Sequence, residues 1–262
     1  MLLSEIIKKI EERCPASWAE EWDNPGFNAG AYDIDIKKIS VALDLNRHSV
    51  SEALKNGSNM LLTHHPSIFR PLKNIRYSSS DPTALVTAIK NDIALYSMHT
   101  NWDVSPEGVN VILGNVLELN DTLPLIKTTN DNRIWGLGCI GTLSEELSPE
   151  VFFRSVKLKL KLPDTIMYKA NTTKKIKKVA VAGGSCGDLW PEALNKGADV
   201  FITADISYHQ REDALEAGMS VISCDHGEME NISLNKLSYI VREITELPVI
   251  LIEPQYRNLI NE

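Results

Sequence analysis

An internal repeat constrains the fold of this chain more than any other feature of its sequence. Residues 37–65 (KKISVALDLNRHSVSEALKNGSNMLLTHH) align without gaps to residues 177–205 (KKVAVAGGSCGDLWPEALNKGADVFITAD), at an offset of 140 with nine identical positions. Each copy predicts a strand, a loop, a helix that stops at a glycine, and a second strand. Shared fold patterns alone could produce one such match, so a second correspondence is needed to indicate duplication.

The second correspondence is chemical. His99 precedes Asp103 by four residues, His226 precedes Glu230 by four residues, and each histidine follows an apolar, strand-like run. The two matches together favour duplication, and the alternation of strands and helices predicts an α/β fold. We expect two related α/β lobes with largely parallel or mixed sheets, at residues 1–128 and 129–262, with the C-terminal helix able to pack back on the first lobe.

Composition excludes several classes of protein. Apolar residues make up 43% and charged residues 24% of the 262 residues, values typical of soluble globular proteins and not of disordered or fibrous chains. No apolar run is long enough for a membrane span, and the first residues do not resemble a signal peptide, so we expect a cytoplasmic protein. The formal net charge of −8 argues against nucleic acid as the main partner, because no overall positive field would attract phosphates.

Local signals predict several helix boundaries. A serine or aspartate followed by proline predicts helix starts at Asp81, Ser105 and Ser148, because the polar side chain caps the helix and proline fits its first turn. Glycines predict helix ends, since glycine readily adopts the left-handed conformation that terminates a helix. These glycines are Gly57, Gly197 and Gly218.

Two adjacent histidines are the most informative side chains. His64 and His65 follow the predicted strand 60–63 directly, and in α/β sheets binding sites form beyond the carboxyl ends of strands. A turn before Pro66 would let both rings reach one pocket, where two ions with one imidazole each fit better than one shared ion. The alternative is a hydrogen-bonded histidine pair at the edge of the core.

Carboxylates complete the candidate metal site. On a helix, His226 and Glu230 would be neighbours with about 5–6 Å between their Cβ atoms, and Asp103 supplies another carboxylate. The five candidate ligands are His64, His65, Asp103, His226 and Glu230. Nitrogen and oxygen ligands of this kind suit Zn, Mn, Fe, Co or Ni, and a pair of divalent ions would generate a hydroxide near neutral pH.

Five segments carry a family resemblance that runs nearly end to end. They are EEWDNPGF (20–27), LLTHHPSIF (61–69), SMHTNWD (97–103), GADVFITADISYH (197–209) and DHGEMEN (225–231). In this order they resemble the successive motifs of the type 2 GTP cyclohydrolase I family, also called the NIF-three-like family. The resemblance implies two linked α/β lobes, a dinuclear metal site with the same five ligands and Glu230 bridging, and a toroidal homohexamer.

The function that the resemblance implies is metal-dependent hydrolysis. The family reaction converts GTP to 7,8-dihydroneopterin triphosphate and formate, so the resemblance implies a small-molecule substrate, with GTP as the first candidate. The same ions would also serve a hydrolase of another phosphate-containing substrate. A further hypothesis is a metal-binding regulatory or interaction protein, in which protein atoms would close every coordination position of a structural ion.

Weaker signals near the second copy leave alternatives open. Asp205 and His209 lie near the repeat position of His65, where they are either acid/base or substrate groups, with Glu230 as a further catalytic candidate, or a hydrogen-bonded structural pair. His99 is interpreted as a residue that orients ligands without binding the metal itself.

Two glycine-rich segments are also ambiguous. Residues 183–188 (GGSCGD) predict either a backbone cradle for an anion or a plain tight turn. Residues 136–141 (GLGCIG) match a dinucleotide-binding fingerprint but lack the strand before it and the helix after it, which favours a glycine-rich strand.

Overall fold

The computed structural model describes residues 1–127 and 131–255, which fold into two compact units. The first unit comprises Met1–Trp102 and the chain from Leu234 onward, and the second comprises Asp103–Ser233. Both units combine helices with a β-sheet, which confirms the predicted mixed α/β fold class. The lobe boundary that we expected between residues 128 and 129 lies outside the described residues.

The helices and strands follow one another along most of the described chain. In order they are α1 (Leu3–Arg13), β1 (Gly26–Ala29), β2 (Ile39–Ala42), α2 (Arg47–Asn56), β3 (Met60–Thr63), α3 (Ala84–Lys90), β4 (Ala94–Ser97), α4 (Thr100–Asp103), α5 (Val109–Val116), β5 (Asn120–Leu123), β6 (Cys139–Leu147), α6 (Pro149–Leu160), β7 (Ile166–Tyr168), β8 (Ile176–Val181), α7 (Trp190–Asn195), β9 (Val200–Ala204), α8 (Tyr208–Glu216), β10 (Ser220–Cys224), α9 (His226–Asn231), α10 (Leu234–Thr245) and β11 (Val249–Leu251). Among the helices of the described ranges, none has the length and apolar character needed to cross a membrane.

The first unit is built on a five-stranded sheet with the strand order β1-β4-β3-β2-β11. The strands β4, β3, β2 and β11 are parallel, and β1 runs antiparallel to β4 at the edge. Every residue of β2, β3 and β4 is buried, as expected for parallel strands that are covered on both faces. Leu61 and Leu95 of the sheet pack in one cluster with Val50 of α2 and Ala88 of α3.

The second unit is built on a six-stranded sheet with the strand order β5-β6-β8-β9-β10-β7. Its centre, β8-β9-β10, is parallel, and the outer pairs are antiparallel. The central strand β9 is buried along its whole length, and Phe201 packs with Val221 of β10 and with alanines of α7 and α8. This sheet therefore has a parallel core bordered by antiparallel edges.

The internal repeat is a repeat of structure as well as of sequence. In the first unit β2, α2 and β3 form a strand–helix–strand unit, and in the second β8, α7 and β9 form another. The strand registers correspond, because Ile39 pairs with Met60 and Val179 pairs with Val200, which are the same alignment positions. The strand–loop–helix–strand prediction for each copy is thereby confirmed.

The repeat does not indicate to which unit two segments of the chain belong. Helix α5 and strand β5 belong to the second unit, because β5 pairs antiparallel with β6. Helix α10 and strand β11 belong to the first unit, since β11 pairs with β2 and the Lys9 ammonium donates to the carbonyl of Ile244 in α10. The described units thus divide after Trp102 and again after Ser233.

Of the three helix starts predicted from a capping residue followed by proline, one is confirmed and two are wrong. Ser148 caps α6, accepting a hydrogen bond from the Val151 N–H. Asp81 does not start a helix: its carboxylate pairs with Arg47 at 2.6 Å, and the cap falls on Thr83, which accepts a hydrogen bond from the Val86 N–H. Ser105 forms a turn instead, and α5 begins only after Gly108.

Candidate metal centre

Three histidines of the first unit meet at the ends of neighbouring parallel strands. His64 and His65 follow β3, and His99 follows β4. Their ring centroids are 5.1 to 5.6 Å apart, and one ring nitrogen from each lies within 4.8 Å of those of the other two. This histidine group could hold a metal ion, and it includes His99, which the sequence had indicated only as an orienting residue.

A local turn brings the two adjacent rings together. The Thr63 hydroxyl donates to the His65 carbonyl at 2.7 Å. The N–H groups of His64 and His65 donate to the carbonyls of Ala42, the last residue of β2, and of Leu43. Alternation along a regular strand would have directed the two side chains to opposite faces. The expected turn before Pro66 therefore exists, and it places both imidazoles in one group.

Each ring of this group is oriented through its Nδ1 atom. His65 Nδ1 donates to Asp44 at 2.7 Å, His99 Nδ1 donates to Asp23 at 2.7 Å, and His64 Nδ1 donates to the Met98 carbonyl at 2.8 Å. A carbonyl or carboxylate oxygen can only accept here, so these bonds set the tautomer and direct Nε2 away from them. Metal-binding histidines in proteins are held in the same way.

Asp23 is the most constrained of these carboxylates. Its side chain is fully buried and also accepts bonds from the Thr100 N–H at 3.1 Å and the Thr100 hydroxyl at 2.5 Å. Burial by itself would raise the pKa of Asp23, but the hydrogen bonds from His99 and Thr100 outweigh it and lower the pKa to about 2. Asp23 is therefore an anion at neutral pH and a firm anchor for the His99 ring.

The second unit has a histidine–carboxylate group of its own. His226 and Glu230 are one turn apart on α9, and His226 Nε2 lies 3.1 Å from Glu230 Oε2. An oxygen of Asp103 lies within 4.8 Å of one from Glu230, and both carboxylates are almost completely buried. Two buried carboxylates in proximity repel each other as anions, which a bound cation would relieve.

Asp205 orients His226 as Asp44 orients His65. The His226 Nδ1 donates to Asp205 at 2.6 Å, and the Ser185 hydroxyl donates to the same carboxylate at 2.5 Å. The hydrogen bond from Ser185, followed by that from His226, lowers the pKa of Asp205. Asp205 lies at the end of β9 with a φ of 49°, an uncommon backbone conformation for a residue other than glycine.

The carboxylate–histidine pair follows different strands in the two units. In the first unit the carboxylate follows β2 and the histidine follows β3, whereas in the second the carboxylate follows β9 and the histidine follows β10. Asp205 occupies the alignment position of His65, whereas the alignment position of Asp44 holds Gly184, and His226 corresponds to His99. Each unit thus holds a carboxylate–histidine pair at the carboxyl ends of adjacent parallel strands.

The glycine-rich turn after β8 lies against Glu230. Gly184 has a φ of 76°, and a Cβ at this position would lie 2.5 Å from Glu230 Oε1. Asn110 supports the turn, because it accepts a bond from the Gly183 N–H and donates to the Asp103 carbonyl, each at 3.0 Å. This geometry supports the tight-turn interpretation of residues 183–188, with the absent side chain making room for the carboxylate.

Two other sequence candidates lie in different surroundings. His209 is exposed on α8, where its ring contacts Tyr208 edge-on at 5.2 Å between centroids. The segment 136–141 leads into β6 and no helix follows it, which supports the glycine-rich strand interpretation over the dinucleotide fingerprint.

Sequence reasoning missed four residues that shape these groups: Asp23, Asp44, Asn110 and Ser185. Asp44 lies two residues after the buried strand β2, a signal similar to the one that identified His64, and so was detectable. Asn110 carried no such signal, because its role depends on a contact across 73 residues of chain.

The donor set fits divalent transition metals. Imidazole nitrogens and carboxylate oxygens bind such ions, and the oriented Nδ1 atoms match the arrangement of metal-binding histidines. A two-unit α/β protein with histidine and carboxylate groups that could hold metal ions is the class that the fold and these groups define.

Comparison with known proteins gives the family. A model described as Duf34/NIF3 (NGG1p interacting factor 3) matches residues 1–256, and the chain belongs to this family. A Clostridium perfringens protein named GTP cyclohydrolase 1 type 2 homolog is 34% identical over 243 residues, which cover 93% of this chain and 92% of that protein. The resemblance drawn from the five sequence segments is thereby confirmed.

Solved structures of similar proteins support the same family membership. A Bacillus cereus protein related to NIF3 superposes with a TM-score of 0.86 at 25% identity, covering 98% of this chain and 97% of that one. Reduced HcgD from Methanocaldococcus jannaschii superposes with a TM-score of 0.80 at 30% identity, covering 96% of this chain and 97% of that one.

Proposed function

We propose that the chain is a dinuclear metal-dependent hydrolase of the type 2 GTP cyclohydrolase I kind. In this proposal His64 and His65 of the first unit and Asp103, His226 and Glu230 of the second are the metal ligands. Curated relatives named GTP cyclohydrolase 1 type 2 homolog make GTP the first substrate to test.

The observation that carries the proposal is the orientation of the histidines. Asp44 holds His65, Asp205 holds His226 and a main-chain carbonyl holds His64, in each case through Nδ1. Histidines that only support a core need no common orientation of this kind, whereas metal ligands do. The paired buried carboxylates Asp103 and Glu230 add the negative charge that divalent cations require.

The chemistry follows from the residue types. Divalent ions held by these side chains would make water a nucleophile near neutral pH and would polarise the bond that is attacked. Asp205 and Asp44 keep the histidine ligands in the required tautomer. His209, exposed four residues after Asp205, is the candidate for proton transfer to the departing group, in the acid/base role proposed from its position in the sequence.

The decisive experiment compares several substrates and tests one variant that lacks a proposed metal ligand. Metal-reconstituted protein is incubated with GTP, other nucleotides and phosphate esters, and formate and phosphate are measured. The proposal predicts formate release from GTP that is lost in Glu230→Ala. The matched control is Glu228→Ala, which removes a carboxylate from the same helix but from a residue outside the ligand set.

The outcomes separate the hypotheses. Phosphate release without formate would assign a different phosphate-containing substrate to the same ions. An absence of turnover with metals bound would contradict the enzyme and favour a metal-binding regulatory or interaction protein.

We further propose the assembly and location that the family implies. A toroidal homohexamer predicts a solution mass six times the chain mass of 29.2 kDa, which light scattering would measure. A monomeric or dimeric mass would contradict it. The cytoplasmic location stays a prediction, to be checked by cell fractionation.

A further inference from the structure

Two large aromatic side chains are exposed beside the histidine group of the first unit. Trp22 is 61% exposed and Phe69 is 43% exposed. Their ring centroids lie 5.9 Å apart at an interplanar angle of 74°, and each ring lies about 6 Å from the His99 ring. Adjacent exposed aromatic rings next to a candidate metal group indicate a surface for binding.

Hydrogen bonds anchor the chain on both sides of Trp22. Its neighbour Asp23 is buried and bonded to His99 and to Thr100, as described above. On the other side the Glu20 N–H donates to the Thr100 hydroxyl at 3.0 Å. The backbone that carries Trp22 is thus fixed to the end of β4, so the ring is exposed on an anchored segment.

The segment that carries Phe69 is tied to the same loop. The Asn24 amide donates to the carbonyl of Ile68, the residue before Phe69, at 2.5 Å. The Ser67 N–H donates to the Asn28 side chain at 2.9 Å. These bonds hold the two aromatic rings in a defined relation before any ligand arrives, which lowers the entropy cost of binding.

The rings favour a planar ligand. Because their planes are 74° apart, a flat ring that stacks on one of them meets the other edge-on, and aromatic pairs favour both arrangements. The exposed segment that follows Phe69 carries three cations in an otherwise acidic chain, which favours an anionic ligand. These cations are Arg70, Lys73 and Arg76.

We propose that Trp22 and Phe69 form a stacking subsite for the base of a nucleotide. This inference rests on the proposed function for its choice of guanine as the probe, and it adds the residues that recognise the ring. The subsite lies within the first unit and requires none of the second unit's ligands.

The test compares nucleotides with counterparts that lack the ring. Calorimetry measures the binding of GTP and GMP, and of inorganic triphosphate and ribose 5-phosphate, to the wild-type protein and its variants. Trp22→Ala and Phe69→Ala should each weaken nucleotide binding by about tenfold, because stacking on an aromatic side chain typically contributes that much. Binding of the two ringless anions should not change.

Two further variants separate stacking from structural damage. Trp22→Phe keeps an aromatic face and should restore most of the affinity. Tyr239→Ala removes an aromatic side chain of similar exposure (58%) on α10 of the same unit and should leave binding unchanged. Metal content and melting temperature should be the same in all these variants.

The result that overturns the proposal is nucleotide affinity that does not depend on Trp22 and Phe69, or no nucleotide binding at all. A change in the solution mass of Trp22→Ala without a change in nucleotide affinity would identify a protein interface and also overturn it. Nucleotide binding that depends on Trp22, without formate release, would refute the proposed function and leave the subsite standing.

Discussion

The backbone of Gly184 lies where any side chain would press on the carboxylate of Glu230. An added Cβ would come within 2.5 Å of Glu230 Oε1 and 3.6 Å of His226 Nε2. Glycine is therefore required at this position for two reasons. A side chain would collide with the Glu230 carboxylate, and the backbone has a left-handed conformation.

Gly184→Ala should lower metal affinity, because Glu230 must move away from the added methyl group. The control is Gly197→Ala in the same unit, where φ is 78° and an added Cβ meets nothing within 4 Å. Both variants should lose about 1 kcal/mol of stability from backbone strain, but only Gly184→Ala should lose metal. Competition with a chromophoric chelator measures the affinity. Equal metal affinities in the two variants would refute the role of Gly184.

Asp44→Asn and Asp205→Asn should each weaken metal binding by about 10- to 100-fold, because each removes the charge that orients a histidine of the proposed ligand set. Asp81→Asn is the control, since Asp81 is a carboxylate of similar exposure that pairs with Arg47 on the surface. Titration with metal, followed by chelator competition, gives the affinities. Unchanged affinity in both variants would show that these carboxylates do not support ligands.

Asp23→Asn should reduce stability in a pH-dependent way. The pKa of Asp23 is about 2 in the folded protein, against an ordinary value of 3.8, so the folded state holds the proton less tightly than the unfolded state. The stabilisation is present in full above pH 3.8, amounts to about 2 kcal/mol, and is lost as the pH falls towards 2. Urea unfolding between pH 7 and pH 3 should show the difference from wild type shrinking at the acid end. A difference that stays constant would contradict this account.

Asn110→Ala should destabilise the second unit by about 3 kcal/mol, because it leaves the buried Gly183 N–H and Asp103 carbonyl without their partner. Asn120→Ala, at an exposed asparagine of the same unit, should cost much less. Urea unfolding compares the two. If the variants were equally stable, Asn110 would not be the link between Asp103 and the glycine turn.

The candidate ligands could be found from the sequence because their signals are local. His64 and His65 follow directly from a buried strand, and the spacing from His226 to Glu230 is one helical turn. The repeat likewise predicted the strand–helix–strand units, since strand register and the glycine stops depend on short segments.

The supporting residues could not be found in the same way. The pairing of Asp44 with His65 depends on how β2 and β3 are placed side by side, and Asp23 reaches His99 from a loop 76 residues away. The helix start expected at Asp81 was also wrong: Thr83 caps the helix, and the Asp81 carboxylate pairs with the distant Arg47. Partners of this kind follow from the tertiary structure, which local patterns do not encode.

The central claim is a pair of metal ions bound by these side chains, and anomalous diffraction from crystals of the metal-loaded protein tests it most directly. The account predicts two anomalous peaks per chain, contacted by the histidines His64, His65 and His226 and by the carboxylates Asp103 and Glu230. The absence of peaks at these side chains, or a single ion held by His64, His65 and His99 alone, would contradict it.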